Sequence, residues 1–170
     1  MVLLGIGSNL SSSFGDRFDN INIAVLELNN RGLIVKKQSS YFESFAYPNK
    51  DDPKFINIVV QIDTNLSPEK LASVLLFIEK DLERTRGKKN DPRTCDIDII
   101  DYKGKNIKFI YENLVFIVPH KRIAARNFVL IPIKEILPNW MHPKTKKHID
   151  NLLEKLPSAY KNSILKVNKP

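Results

Sequence analysis

Over residues 54–63 every second side chain is a branched aliphatic: Ile56, Ile58, Val60 and Ile62 share one face of an extended chain, and Phe55, Asn57, Val59 and Gln61 share the other. That spacing predicts a strand with one face in the core and one mixed. The neighbouring segments supply what such a strand needs. Residues 2–6 are an apolar run stopped by Gly7-Ser8-Asn9, a strand that delivers a loop. Phe14, Phe18, Ile21, Val25 and Leu28 recur at helical spacing, with Asp16 adding negative charge to the first turn and Gly32 as a C-terminal cap. A strand over 33–42 precedes a loop-like stretch at 47–53. Ser67-Pro68 then opens a helix whose stripe is Leu71, Val74, Leu75, Ile78 and Leu82 and which is expected to end near Arg86-Gly87. A strand over 94–102, a hairpin turn at 103–106 and a return over 107–110 follow. Turns marked by Pro119 and Pro138 separate short helices expected over 124–136 and 148–155.

Strand, helix, strand, strand, helix, strand is the order of a ferredoxin-like α+β unit, with helices on a mostly antiparallel sheet. The 170 residues suit one domain, expected over 1–156, with 157–170 a C-terminal tail that carries no readable motif. A single cysteine, Cys95, excludes an internal disulfide framework and a Cys-rich zinc site, and fits a reducing cytoplasm. The apolar start is too short for a signal peptide or a membrane span. A formal charge of +8 favours anions, whether a nucleotide polyphosphate, a nucleic acid or a lipid headgroup, although scattered lysines such as Lys144 and Lys146 read equally as a solvated surface.

The sharpest chemical signal is Asp91-Pro92-Arg93-Thr94-Cys95-Asp96-Ile97-Asp98-Ile99. In a strand, Asp96 and Asp98 project from one face about 7 Å apart, a pair of hard oxygen donors of the kind magnesium shares with substrate phosphates. The plainer alternative is the polar face of a half-exposed strand. Arg84, Arg86, Lys88, Lys89 and Arg93 place five cations within ten positions around these acids, which suits a loop closing over a triphosphate. His120, after Pro119, and Arg126 can each donate to phosphate, while Phe55 and Asn57 join an aromatic platform to an amide that suits a flat nitrogen heterocycle.

Four segments carry a resemblance. Gly7-Ser8-Asn9-Leu10, Phe55-Ile56-Asn57, Pro92-Arg93-Thr94-Cys95-Asp96-Ile97-Asp98-Ile99, and Pro119-His120 with Arg126-Asn127-Phe128 resemble, in order, the motifs of the hydroxymethyldihydropterin pyrophosphokinases. The resemblance implies a three-layer αβα sandwich on the ferredoxin-like core. It implies ATP and 6-hydroxymethyl-7,8-dihydropterin as substrates, two Mg ions on Asp96 and Asp98, and transfer of a diphosphoryl group with Arg84 and Arg93 assisting. It further implies nucleotide contacts from Glu79, Arg84, Arg86, Lys89, Arg93, Ile99, His120 and Arg126. Pterin contacts fall to Gly7, Ser44, Ala46, Tyr47, Phe55, Asn57, Asp96 and Phe128. A cytoplasmic monomer without nucleic-acid or membrane partners is the accompanying expectation. Asn90-Asp91 stands where many members have Trp-Gly or Asn-Gly, and Phe45-Ala46 replaces a common Pro-Pro pair. The rival readings are another two-metal nucleotidyltransferase and an RNA-binding ferredoxin-like module, which would show clustered sheet aromatics rather than paired acids.

Overall fold

The computed structural model describes every residue except Arg86, Lys88, Lys89 and Pro170. The alternating segment becomes β4 (Phe55–Asp63), which pairs antiparallel with β1 (Val2–Ser8) across seven residues, and β1 pairs in turn with β5 (Asp96–Tyr102). On the far side of β4 the chain predicted as one strand is two, β2 (Ile34–Gln38) and β3 (Tyr41–Ser44), both antiparallel to β4. The break falls at Ser39, whose backbone N–H and hydroxyl both bond to Val59. The resulting order β5-β1-β4-β3, all antiparallel, is the ferredoxin-like sheet.

Helices α1 (Arg17–Asn30) and α2 (Pro68–Asp81) cover one face and bury Ile56, Ile58, Val60 and Ile62 with Leu4, Ile6, Ile97 and Ile99. Asp16 is the cap of α1 rather than part of its first turn: its carboxylate accepts the Phe18 and Asp19 N–H groups. Phe14 therefore lies ahead of the helix and is exposed. At the other end Leu33 donates to Leu28 O and Gly32 to Asn29 O, with Gly32 at φ +78°, a left-handed turn that glycine enters without steric cost. The opposite sheet face packs Leu3, Val59 and Ile100 against α3 (Asn127–Ile136) and α4 (Ile149–Glu154), completing three layers.

Three further differences from the sequence expectation have physical causes. The segment after the Lys103-Gly104 turn does not return along β5. It forms β6 (Ile107–Tyr111), which pairs with β7 (Leu114–Val118) in a separate ribbon where Phe109 stacks on Phe116. Helix α2 stops at Asp81, several residues before Arg86, because Glu83 takes φ +62° and Arg84 N–H turns back to Glu79 O. Beyond Leu156, where no motif was legible, α5 (Ser158–Lys161) leads into β8 (Leu165–Val167), which extends the sheet by pairing with β3. Among the described residues no helix is long and apolar enough to cross a membrane.

Candidate active site

The site begins with an absence of side chains in the middle of the sheet. β1 directs Gly5 and Gly7 to the face away from α1 and α2, and each is flanked by chemistry: Gly7 pairs with Asp96 on β5 and Asn57 on β4, and Gly5 with Asp98 and Val59. A Cβ on Gly7 would stand 3.2 Å from Asn57 Oδ1 and 3.4 Å from Phe55 Cδ1, so the row stays open only as glycine. Asn57 and Asp96 thus face one another over a bare strand, about 10 Å apart by strand spacing. The cleft above has a volume of about 710 Å³.

Gly7, Ser44, Ala46, Tyr47, Phe55, Asn57 and Phe128, the expected pterin contacts, all line this cleft with Asp96. Arg93, Asp98, His120 and Arg126 line it too. Glu79, Arg84 and Ile99 do not; they lie behind it, and Ile99 belongs to the core under α1 and α2. Arg86 and Lys89 lie outside the described residues. Asn57 uses Nδ2 inward, donating to Phe42 O at 3.2 Å and Ser44 Oγ at 3.0 Å, which leaves its oxygen as the acceptor toward the cleft.

The two aspartates differ in environment. Asp96 is gripped by Arg84 Nη1 at 2.6 Å and Arg93 Nη2 at 2.9 Å. Burial pushes its pKa up, but the two arginines outweigh burial and hold it below the ordinary carboxylate value. Among the described residues Asp98 pairs with Arg126 alone, at 3.5 Å, and burial together with the Asp96 charge beside it raises its pKa to about 6. Two crowded hard-oxygen donors at a cleft mouth fit a divalent cation. Among the described residues no third His, Cys, Asp or Glu completes a cage around them, which suits a metal that fills its shell with water and phosphate.

The cations are held by side chains that the motif reading left without a role or assigned elsewhere. Glu79, 3 % exposed, pairs with Arg84 and accepts the Ile97 N–H at 2.7 Å, so its charge is spent on orienting Arg84. Asn9, 2 % exposed, accepts the Arg93 N–H at 2.7 Å and donates to Pro53 O at 2.9 Å; Arg93 O accepts from the Asn9 and Leu10 N–H groups. Asn9 therefore ties the strand that carries Asp96 to the entry of β4. Arg93 also lies over the Phe55 ring at 5.1 Å and Arg126 over Phe128 at 5.4 Å. Arg93 Nε is buried with no partner among the described residues, an unused donor suited to an anion.

His120 Nδ1 accepts the Arg122 N–H at 3.2 Å, which leaves Nε2 as the protonated nitrogen of a neutral ring. Burial, reinforced by Arg126 and Arg122, lowers its pKa to about 4. In an NMR titration of the free protein the His120 ring is expected to stay neutral from pH 8 down to about 5. Since the unfolded chain takes up this proton near pH 6.5 and the folded chain only near 4, stability falls as pH drops through that window. Denaturation of wild type and His120→Gln at pH 7 and 4.5 checks the sign: wild type should lose more.

Comparisons with known proteins show the family and the fold. The family model for 7,8-dihydro-6-hydroxymethylpterin-pyrophosphokinase matches residues 3–138. A Synechocystis protein named 2-amino-4-hydroxy-6-hydroxymethyldihydropteridine pyrophosphokinase is 35% identical over 91% of this chain and 75% of its own length. The folic acid synthesis protein fol1 of Pneumocystis carinii is 36% identical over 95% of this chain, which spans 22% of that longer protein. Among solved structures, Plasmodium falciparum HPPK-DHPS superposes with a TM-score of 0.67 at 14% identity, covering 91% of this chain and 42% of that one, a likeness of fold. From its matched motifs, relatives and fold, the chain belongs to the 7,8-dihydro-6-hydroxymethylpterin-pyrophosphokinase family.

Proposed function

We propose that the protein transfers the β,γ-diphosphoryl group of ATP to the hydroxymethyl oxygen of 6-hydroxymethyl-7,8-dihydropterin, releasing AMP, as a step of folate synthesis. The observation that carries this reading is the row Asp96–Gly7–Asn57, which sets a heterocycle acceptor and a carboxylate of the acidic pair on either side of a bare strand in one cleft. Asn57 Oδ1 accepts from the ring's amino edge, and Phe55 and Phe128 offer aromatic faces. Asp96 and Asp98 would hold Mg²⁺, two ions in the fullest form of the proposal, whose charge would neutralise phosphate oxygens and acidify the attacking hydroxyl.

The remaining work belongs to this chain's side chains and is mostly positioning and charge neutralisation. Arg93 and Arg126 rest on both the acids and the aromatic faces. A ring entering either face displaces a guanidinium toward the phosphate, so one movement opens the pterin slot and delivers a cation. Arg84, held from behind by Glu79, keeps Asp96 in place, and neutral His120 donates Nε2–H to a phosphate oxygen. Cys95 takes no part: burial above all raises its thiol pKa, so it stays protonated, and a free thiol suits the reducing compartment expected of a cytoplasmic enzyme. Paired acids amid arginines do not favour an RNA-binding module.

The test is AMP formation from Mg-ATP with and without the pterin alcohol, with EDTA as control. The expected result is AMP release that requires both pterin and Mg²⁺. ADP as the product would indicate single-phosphoryl transfer and sink the assignment.

A further inference from the structure

Residues 139–170 lie beyond the matched family region, yet part of them reaches the cleft: Pro157, Ala159, Tyr160 and Ser163 belong to its wall. This segment is pinned from two directions. Asn127, 1 % exposed, donates Nδ2 hydrogens to Tyr160 O at 2.6 Å and Ser163 Oγ at 3.3 Å, and Ser163 Oγ donates to Tyr160 O at 2.7 Å. Beyond it β8 is paired to β3, with Lys166 reaching Glu135 at 2.7 Å.

Local bonds hold only part of the turn on the other side of Asn127. Asn127 Oδ1 accepts the Phe128 N–H at 2.7 Å and Arg126 O accepts from Val129 and Leu130, but Arg126 occupies the N-cap of α3 without a side-chain cap, and Pro132 has no N–H to return to Phe128 O one turn earlier. This turn carries Arg126, which faces Asp98, and Phe128, which faces the pterin slot. The Asn127 amide thus joins two elements, its oxygen on the Phe128 N–H and its nitrogen on the 157–163 segment, whose Tyr160 lines the cleft with Arg126 and Phe128.

We propose that Asn127 is a positioning residue for the transfer: its Nδ2 bonds to the Tyr160 carbonyl and Ser163 brace the Arg126–Asn127–Phe128 turn, so the C-terminal segment sets where guanidinium and aromatic ring stand in the cleft. This rests on the function proposed above for its kinetic consequence, but not for its structural one. Asn127→Ala is expected to raise the KM for the pterin alcohol and lower kcat, each by about tenfold, while Tyr160→Phe, which keeps the carbonyl that Asn127 grips, stays within about twofold of wild type. A merely structural role would lower Tm and leave the KM of the folded protein unchanged, and that outcome overturns the proposal.

A second readout needs no substrate. Trypsin cleavage after Arg126 in the ligand-free protein, mapped by mass spectrometry, should accelerate about tenfold in Asn127→Ala with sites elsewhere unaffected. If Asn127→Ala fails to fold, Asn127→Asp, which keeps the oxygen that accepts the Phe128 N–H and loses both Nδ2 bonds, decides. Unchanged cleavage at Arg126 overturns the bracing role whatever the kinetics. Accelerated cleavage in a protein whose wild type makes no pterin-dependent AMP would keep the brace and reject the function.

Discussion

Replacing Asp98 by Asn is expected to lower kcat on the order of 10³-fold while leaving the metal-free protein at least as stable as wild type. The two effects have one cause. Asp98 is a carboxylate pressed into a partly desolvated site beside Asp96, with Arg126 no nearer than 3.5 Å, so burial and the neighbouring charge disfavour its ionisation, and a bound cation would offset both. Asp96→Asn should behave differently. Its carboxylate is the shared partner of Arg84 and Arg93, and neutralising it leaves two half-buried guanidinium groups with weaker acceptors, so activity and Tm fall together. Steady-state AMP formation and thermal unfolding in EDTA measure both. An Asp98→Asn enzyme with near-normal rate would remove this residue from the metal site.

The readability of these features in the sequence follows from how local their causes are. The β4 alternation and the Ser67-Pro68 start of α2 were legible because a period and a cap are local properties, and both elements formed as expected. The Asp96/Asp98 pair was legible for the same reason, since i and i+2 share a strand face in any sheet. What escaped depended on partners far along the chain. Nothing within 33–42 shows that Val59 would capture Ser39 and split the strand. Nothing in 107–110 shows that it would leave β5 for β7; a turn with the right residues predicts a reversal but not which strand the chain pairs with next. The stop of α2 at Asp81 was hidden because Glu83, a poor residue for positive φ, stands where glycine would have announced the end. Its carboxylate bonds Ser13, a contact seventy positions away that favours the unusual turn.

At the site the division is the same. Residues that line the cleft carry motifs of their own, whereas residues behind it take their contacts from partners far along the chain. Asn9 lay inside a recognised segment, but its bonds to Arg93 and Pro53 join places more than forty residues apart. Gly5 had no signal of its own until its pairing with Asp98 showed why a side chain there would fill the trough. Tyr160 sits in a stretch that pattern reading set aside as a tail.

Glu79 is the residue for which the distinction between touching substrate and holding the machinery matters most. Glu79→Ala is expected to cost about 3–5 kcal/mol of unfolding free energy, because it strips a buried guanidinium of one acceptor and leaves the Ile97 N–H without the carboxylate that accepts it. Glu79→Gln keeps an acceptor for that N–H and should lose less, about 1–3 kcal/mol, since what remains is a neutral hydrogen bond in place of a charge-assisted one. Urea unfolding of both variants gives the values, and a cost within about 1 kcal/mol of wild type for Glu79→Ala would show that the pair is dispensable. The kinetic consequence follows from geometry. With Glu79 gone, Arg84 keeps Asp96 as its one acidic partner among the described residues and moves with it, so kcat should drop about 10–100-fold even though Glu79 does not line the cleft. A direct nucleotide contact would instead appear as a raised KM for ATP at unchanged stability. A large stability loss with ATP affinity preserved therefore assigns Glu79 to the support of Arg84, and the reverse pattern assigns it to the nucleotide.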